Sequence, residues 1–279
     1  MGLSKVNIHT VELDERLDEA GFRHAATAVG PRLGARRMGA GVYQAEAGFP
    51  IWPYHYHHGV EELLYVLDGA PVLREAARKR ELAPGDQVCF PSGPLGAHTL
   101  EGPGRFVLFS TGHEREPWMS VYPDSDKVGG PEGLLLRSSA VGYWHGEGTA
   151  GAGESADVRI PEPSPPGPSM LDASIVELEP GRASEPYHCT YGREEWLLVL
   201  AGTAALRHPG GEDALERGDL VCFPEGPSGA HRLSNPGGVA VRALLLATTD
   251  LPANAFYPDT GQWLLRNGPG DEVELRGGA

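Results

Sequence analysis

The sequence lacks any apolar run approaching the 18 residues that a transmembrane helix requires, and its first fifteen residues lack the apolar core of a secretory signal. Positive charge is also scarce, because 23 Lys and Arg residues stand against 38 Asp and Glu residues and give a formal net charge of −15. This balance argues against nucleic acid or an anionic membrane as a partner, since both are recognised by basic surfaces. We therefore expect a cytoplasmic protein that binds neither.

Cysteine is nearly absent and follows no disulfide pattern. The three cysteines are Cys89, Cys189 and Cys222. Cys89 and Cys222 occupy matching places in two GDxVCF segments, so we expect each to be a small buried hydrophobic residue. An odd number of cysteines without regular spacing does not form a disulfide framework, and it fits a reducing compartment.

Glycine and proline are abundant, and the sequence repeats itself. The 39 glycines and 25 prolines are spread among short apolar runs, which predicts many turns between short strands. A length of 279 residues predicts two domains. At an offset of 133 residues, 27 of the 52 positions in 53–104 are identical at 186–237 without a gap. A repeat of this length indicates a duplicated domain and not a solenoid.

The most informative stretch is 53–69, PYHYHHGVEELLYVLDG. His55 and His57 stand two residues apart, so on a strand both side chains point to one face. A short turn after His57 can return the carboxylate of Glu62 to the same point. Two imidazoles and a carboxylate form a mixed site that suits Fe, Mn, Ni, Co, Cu or Zn and not Mg or Ca. Glu61 competes with Glu62 for this role.

A fourth candidate ligand, His98, follows a strand-like segment and a Pro/Gly turn in 85–100, GDQVCFPSGPLGAHTL. The two stretches read G-x6-H-x-H-x4-E-x6-G from Gly48 and G-x5-P-x-G-x4-H from Gly85. These patterns resemble the two sequence motifs of the cupin superfamily. The Gly-to-His spacings are a residue or two longer than in that family, and Gly102 stands where the family often has Asn. The resemblance implies a small antiparallel jelly-roll barrel with a metal ion bound inside.

The resemblance and the repeat together imply an all-β fold of two tandem cupin jelly-roll β-barrels joined by a Pro/Gly-rich linker. We expect residues 1–145 to form an N-terminal arm and the first barrel, 146–169 to form the linker, and 170–279 to form the second barrel. The arm, residues 1–37, is expected to pack on the first barrel or on a partner. The motif spacing favours Glu62 as the ligand, so Glu61 is expected to face outward or to support the ligands.

The second copy keeps part of the ligand set. His188, Glu195 and His231 match three of the first-copy ligands, but Thr190 stands in the place of His57. The three remaining residues can form a set of two histidines and one carboxylate, as in non-haem Fe(II) oxygenases. The alternative is a relic whose polar side chains bind one another by hydrogen bonds.

Further residues are expected near the first site. An apolar wall for a small molecule is expected from four aromatic residues, Trp52, Tyr65, Phe90 and Phe109. Arg74 and Arg207 recur at matching positions of the two copies, and each is either a structural ion-pair residue or an anchor for a substrate carboxylate.

The cupin superfamily contains dioxygenases, decarboxylases, isomerases, epimerases and non-catalytic proteins, and the fold does not decide among them. Our first hypothesis is a metal-dependent enzyme of the oxygenase type that acts on a small organic molecule with a divalent transition metal, Fe or Mn being favoured. The alternatives are a non-catalytic protein that binds or senses a metal or small ligand, and a sugar isomerase or epimerase. Open sheet edges in a jelly roll also make a homo-oligomer an expectation.

Overall fold

The computed structural model describes residues 3–112, 119–130, 133–136, 170–249, 252–268 and 270–275. Strands dominate this part of the chain, and its helical segments are single 3-10 turns at Pro31–Leu33, Pro94–Gly96, Pro123–Ser125 and Pro227–Gly229. None of its helices has the length and apolarity needed to cross a bilayer. The predicted linker, 146–169, lies outside the described residues.

The first half of the chain builds one jelly-roll unit from three antiparallel sheets. Its strands are β1 (Val6–Asn7), β2 (Glu15–Glu19), β3 (Phe22–Ala28), β4 (Gly39–Ala45), β5 (Tyr56–His58), β6 (Glu62–Gly69), β7 (Val72–Glu75), β8 (Lys79–Glu81), β9 (Gln87–Phe90), β10 (His98–Glu101), β11 (Gly104–Ser110), β12 (Met119–Tyr122), β13 (Lys127–Gly130) and β14 (Gly133–Leu136). The sheet orders are β2-β3-β4-β11-β6-β9, β14-β13-β12-β5 and β10-β7-β8.

The second half repeats this arrangement. Its strands are β15 (Leu171–Leu178), β16 (Cys189–Tyr191), β17 (Glu195–Ala201), β18 (Thr203–His208), β19 (Gly211–Glu216), β20 (Asp219–Phe223), β21 (Arg232–Ser234), β22 (Val241–Thr248), β23 (Asn254–Tyr257), β24 (Gln262–Gly268) and β25 (Asp271–Leu275). The sheet orders are β1-β20-β17-β22-β15, β16-β23-β24-β25 and β19-β18-β21. The predicted all-β fold of two repeated barrels is confirmed.

Alternation along each strand separates two cores. On β6, Leu64 and Val66 face the interior of the first barrel. Leu63 and Leu67 face the opposite way and join a core that both barrels share. This division follows from the two-residue period of a strand. Glu62 has the same parity as Leu64, so its side chain enters the barrel interior.

The N-terminal arm contacts both barrels. Strands β2 and β3 extend the large sheet of the first barrel, as expected. Strand β1 instead pairs antiparallel with β20 of the second barrel, where Lys5 and Asn7 contact the carboxylate of Asp219. An exposed sheet edge offers unpaired backbone groups that such a strand satisfies. The prediction of two buried cysteines is wrong for Cys89, because it lies exposed on edge strand β9, whereas Cys222 is buried in the shared core.

Two buried glutamates join the barrels. Glu61 is only 4% exposed, and its Oε2 accepts the backbone N–H groups of Met170 and Leu171 at 2.8 and 3.1 Å. In the second barrel, Glu194 accepts the backbone N–H groups of 36–38 at 2.7–3.1 Å. Glu61 is therefore buried and does not face outward. It binds the segment that begins the other barrel, and Glu194 does the same in the opposite direction.

Candidate metal centre and its cavity

The two motifs meet through a backbone bridge between their histidines. The N–H of His55 donates to the carbonyl of His98 at 3.1 Å, and the N–H of His98 donates to the carbonyl of His55 at 2.8 Å. The turn before His98 requires glycine at Gly96, because a Cβ there would lie 1.9 Å from the carbonyl oxygen of Pro91. The turn thus holds the two imidazoles on neighbouring backbone segments.

Of the four predicted first-barrel ligands, His55, Glu62 and His98 each place one donor atom within 4.8 Å of the other two, and His57 lies beside this group. The Nε2 atoms of His55 and His57 are 3.1 Å apart. Glu62 Oε2 lies 3.4 Å from His57 Nε2 and 3.6 Å from His98 Nε2. Donor atoms that share an ion at about 2.0–2.3 Å stand about 3 Å apart when they are adjacent in its coordination sphere. The group of His55, Glu62 and His98 fits a common ion, and the His57 imidazole stands at its edge.

Two atoms of this cluster have no partner within the described chain. Glu62 Oε2 and His98 Nε2 are buried and make no hydrogen bond. Leaving a buried polar atom unpaired costs about 1–3 kcal/mol, so native proteins satisfy such atoms or use them. A cation between the two atoms would satisfy both. The residues present therefore fit a bound divalent metal.

The outer nitrogen of each histidine is fixed by a hydrogen bond. His55 Nδ1 lies 2.9 Å from the carbonyl of Pro53, and His98 Nδ1 lies 2.8 Å from the carbonyl of Gly96. A carbonyl can only accept, so Nδ1 carries the proton in both rings and the Nε2 lone pair faces the cluster. Such partners orient ligating histidines in metal sites.

The protonation states also suit a cation. Burial and the neighbouring histidines lower the pKa of His55 to about 4. Burial likewise lowers the pKa of His98. Burial alone would raise the pKa of Glu62, but its contact with His57 and the surrounding histidines lower that pKa below its ordinary value. His55 and His98 are thus neutral and Glu62 is charged near neutral pH, which are the forms that bind metals.

The cupin domain family matches residues 42–111 and again residues 174–247, which together make up more than half of the chain. The chain belongs to the cupin family. No curated protein sequence matches it.

Solved structures with the same fold include enzymes and proteins of other descriptions. An oxalate decarboxylase variant from Bacillus subtilis is 15% identical with a TM-score of 0.52, covering 93% of this chain and 80% of the other. Protein Ylba from E. coli is 16% identical with a TM-score of 0.52, covering 88% of this chain and 89% of its own. A sugar phosphate isomerase of the cupin superfamily from Silicibacter pomeroyi is 26% identical with a TM-score of 0.37, covering 39% of this chain and 68% of its own. At this distance, the oxalate decarboxylase and Ylba show the fold alone.

In the second cupin barrel, His188, Glu195 and His231 each place one donor atom within 4.8 Å of the other two. The Nδ1 atoms of both histidines lie 2.9 Å from backbone carbonyls, as in the first barrel. Thr190, in the place of His57, puts its hydroxyl 3.0 Å from Glu195 Oε2. The framework of the site is kept, and one imidazole is replaced by a hydroxyl group.

A cavity of about 640 Å³ adjoins the first cupin site, and Glu62 lies in its wall. Tyr43 and Trp52 also line it, and the N-terminal arm supplies His24 and Glu15. The Trp52 ring meets the rings of two of the ligands edge-on at centroid distances of 5.9 and 6.1 Å. The described residues that line the cavity include three glutamates, with Glu62 among them, but no lysine or arginine.

The predicted apolar wall is half right. Trp52 lines the cavity, and the Phe90 ring stacks on the ligand His98 at a centroid distance of 3.6 Å. Tyr65 and Phe109 pack instead against the core shared by the barrels. On β6, Tyr65 has the opposite parity to Glu62, and Phe109 pairs with the outward-facing Leu63. Strand alternation therefore carries both side chains away from the site.

Both recurrent arginines are structural ion-pair residues. Arg74 binds both carboxylate oxygens of Asp124 at 2.5 and 3.0 Å, and Arg207 binds those of Asp259 at 2.6 and 2.7 Å. Each guanidinium also lies over a tyrosine ring. Neither arginine lines the cavity beside its barrel's histidine cluster. The alternative role as a substrate anchor is therefore not supported.

Three residues near the site escaped the sequence analysis. The Ser120 hydroxyl contacts His57 Nδ1 at 2.9 Å. His24 and Tyr43 line the cavity from strands β3 and β4. They lie outside the two motifs, and only the pairing of β5 with β12, and of β3 with β4, brings them to the site. The spacing of residues in the sequence does not predict these strand pairings.

Proposed function

We propose that the first cupin barrel is a metal-dependent enzyme of the oxygenase type that acts on a small organic molecule. His55, His57, Glu62 and His98 would hold a divalent transition metal, with Fe or Mn favoured. The observation that carries the proposal is the buried, unpaired pair of Glu62 Oε2 and His98 Nε2, which lies next to a cavity of about 640 Å³. A site that only stored metal would not need that space.

The metal would supply Lewis-acid or dioxygen chemistry at coordination positions that four protein ligands leave open. The protein's own residues prepare this chemistry. Hydrogen bonds at Nδ1 aim the imidazoles inward, and Glu62 stays charged. Trp52 and Phe90 cover the ligand rings with apolar surface and limit the access of water. A water-poor site strengthens electrostatic interactions with a bound substrate.

The cavity favours a substrate of low negative charge. Phosphate and carboxylate groups are commonly bound by Arg or Lys, and none lines the described cavity. His24 Nδ1 and Trp52 Nε1 are buried and lack partners, so a polar ligand could bind both. Burial raises the pKa of Tyr43 to about 12, so its hydroxyl keeps its proton and can donate it in a hydrogen bond. A neutral phenol, amine or hydroxylated molecule matches this wall better than a sugar phosphate does.

Metal content of tag-free protein tests the first step. His57→Ala should lower the Fe or Mn content bound by the first barrel, because it removes an imidazole 3.4 Å from Glu62. His58→Ala is the matched control, since His58 is exposed and lies on the other face of the same strand. Failure of the wild-type protein to bind either metal after anaerobic reconstitution would overturn the proposal.

Oxygen consumption tests the reaction type. Protein reconstituted with Fe(II) or Mn(II) should consume O2 with at least one member of a panel of phenols, amines and hydroxylated molecules. The activity should be lost in His57→Ala and kept in His58→Ala. Metal binding without turnover across the panel would favour the non-catalytic alternative. Isomerisation of a sugar without O2 uptake would favour the isomerase alternative.

A further inference from the structure

The second barrel contains a carboxylate that the first barrel lacks. Glu185 occupies the repeat position of Trp52, because both precede their histidine motif by the same number of residues. Where the indole of Trp52 covers the first cluster, the Glu185 side chain places Oε2 only 3.7 Å from His188 Nε2. The same nitrogen lies 4.0 Å from Glu195 Oε2. Both carboxylates therefore approach one imidazole.

Glu185 stands on the solvent side of the cluster. Its side chain is 71% exposed, whereas His188 and His231 are buried beneath it. Glu185 lines the same cavity of about 250 Å³ as His188, Glu195 and His231. The carboxylate thus stands at a cavity that both imidazoles line, at the repeat position where the first barrel has Trp52.

We propose that Glu185 is the fourth ligand of a second metal centre, which it forms with His188, Glu195 and His231. Two donor atoms that bind one ion at about 2.0–2.3 Å can stand no more than about 4.5 Å apart. The 3.7 Å between Glu185 Oε2 and His188 Nε2 meets this limit. The exposed Glu185 side chain stands beside the group of His188, Glu195 and His231, whose donor atoms lie within 4.8 Å of one another. The carboxylate replaces the imidazole that the change from His57 to Thr190 removed.

The replacement changes the class of metal. The first barrel offers three imidazoles and one carboxylate, whereas the second offers two of each. Oxygen-rich donor sets suit harder cations such as Mn2+, and imidazole-rich sets suit Fe, Ni, Cu and Zn. Two carboxylates also balance the charge of a divalent ion. The second centre should therefore prefer Mn2+ more strongly than the first centre does.

The test isolates the second barrel within the full chain. In a His57→Ala/Glu62→Gln background, which disables the first centre, Mn2+ binding is measured by titration calorimetry and by the EPR signal of free Mn2+. Adding Glu185→Gln or Glu185→Ala should weaken Mn2+ binding about tenfold or more, as loss of a ligand or its support does. Glu179→Gln, an exposed glutamate in the turn after β15, should leave binding unchanged.

Two results would overturn the proposal: a background protein that binds no Mn2+, or Glu185 variants that bind it as tightly as the background does. Because Glu185 is exposed, both variants should fold. The Mn2+-induced rise in melting temperature gives a second reading of occupancy in each variant. The result does not depend on the first barrel's activity, so the function proposed for that barrel can fail while this inference stands.

Discussion

Ser120→Ala should weaken metal binding in the first barrel without unfolding it. Among the three first-site histidines, only His57 has an Nδ1 partner that is a side chain, and the other two are held by backbone carbonyls. A substitution can therefore remove this one support. In the metal-binding tautomer, Nδ1–H donates to Ser120 Oγ at 2.9 Å. Removing such a partner lowers metal affinity about 10–100-fold, whereas losing one hydrogen bond costs about 1 kcal/mol of stability.

The two barrels give this prediction an internal comparison. Strand β12 pairs Ser120 with His57, and β23 pairs Ala255 with Thr190 at the matching place. Where the imidazole is absent, the hydroxyl that would orient it is absent too. Loss of both residues is expected if the hydroxyl of Ser120 orients the His57 ring and does not stabilise the fold.

Competition between the protein and a chelator of known affinity for Fe(II) or Mn(II) gives the dissociation constant. Ser92→Ala is the matched control, because the Ser92 hydroxyl contacts the backbone carbonyl of His57 and not its ring. Ser120→Thr, which keeps a hydroxyl group, should retain most of the affinity. An affinity within twofold of the wild type in Ser120→Ala would refute the reasoning, and an equal loss in Ser92→Ala would assign the effect to the backbone of β5.

Three further outcomes follow from the packing. Glu194→Gln should lower the free energy of unfolding by about 2–3 kcal/mol, because charged acceptors of buried N–H groups contribute more than neutral ones; the exposed control Glu179→Gln should have no effect in denaturant titration. The metal-free protein should lose stability as pH falls from 6.5 towards 4, because burial lowers the pKa of His55 from 6.5 to about 4 and the unfolded chain takes up the proton first; equal stability at pH 7.5 and pH 4.5 would contradict this. Gly96→Ala should cost about 3 kcal/mol, while Gly238→Ala, which has open space around it, should be neutral by thermal unfolding.

Much of the fold and of the first cluster could be predicted from the sequence because both depend on short-range patterns. The His-x-His spacing places two imidazoles on one strand face, and the Pro/Gly turn before His98 needs little more than local backbone geometry. The repeat supports the same prediction a second time, because both motifs occur in each half of the sequence. The same local logic explains why Phe90 and Trp52 were expected near the ligands and were found there.

The wrong predictions concern side chains whose burial depends on contacts between strands or barrels that are distant in the sequence. Glu61 and Glu62 are adjacent and both buried, and strand parity directs the first to the neighbouring barrel and the second to the histidine cluster. Cys89 and Cys222 have the same local sequence, but only Cys222 packs into the core that the two barrels share. Tyr65 was misplaced because the core between the barrels was not foreseen. No local pattern reports which face of a strand another barrel will cover.

A comparison of the two copies distinguishes residues that stabilise the fold from residues that belong to the sites. Features present in both copies, such as the Arg74–Asp124 and Arg207–Asp259 pairs, hold a turn against a strand, and neither arginine lines the cavity beside its cluster. Beside the histidines, in contrast, Trp52, His57 and Ser120 become Glu185, Thr190 and Ala255. A relic under no constraint would also lose the carbonyl anchors of its remaining histidines, and both are kept at 2.9 Å. Loss confined to one imidazole and its hydroxyl, with a carboxylate gained beside them, is the pattern expected of a metal site that has changed its preferred ion.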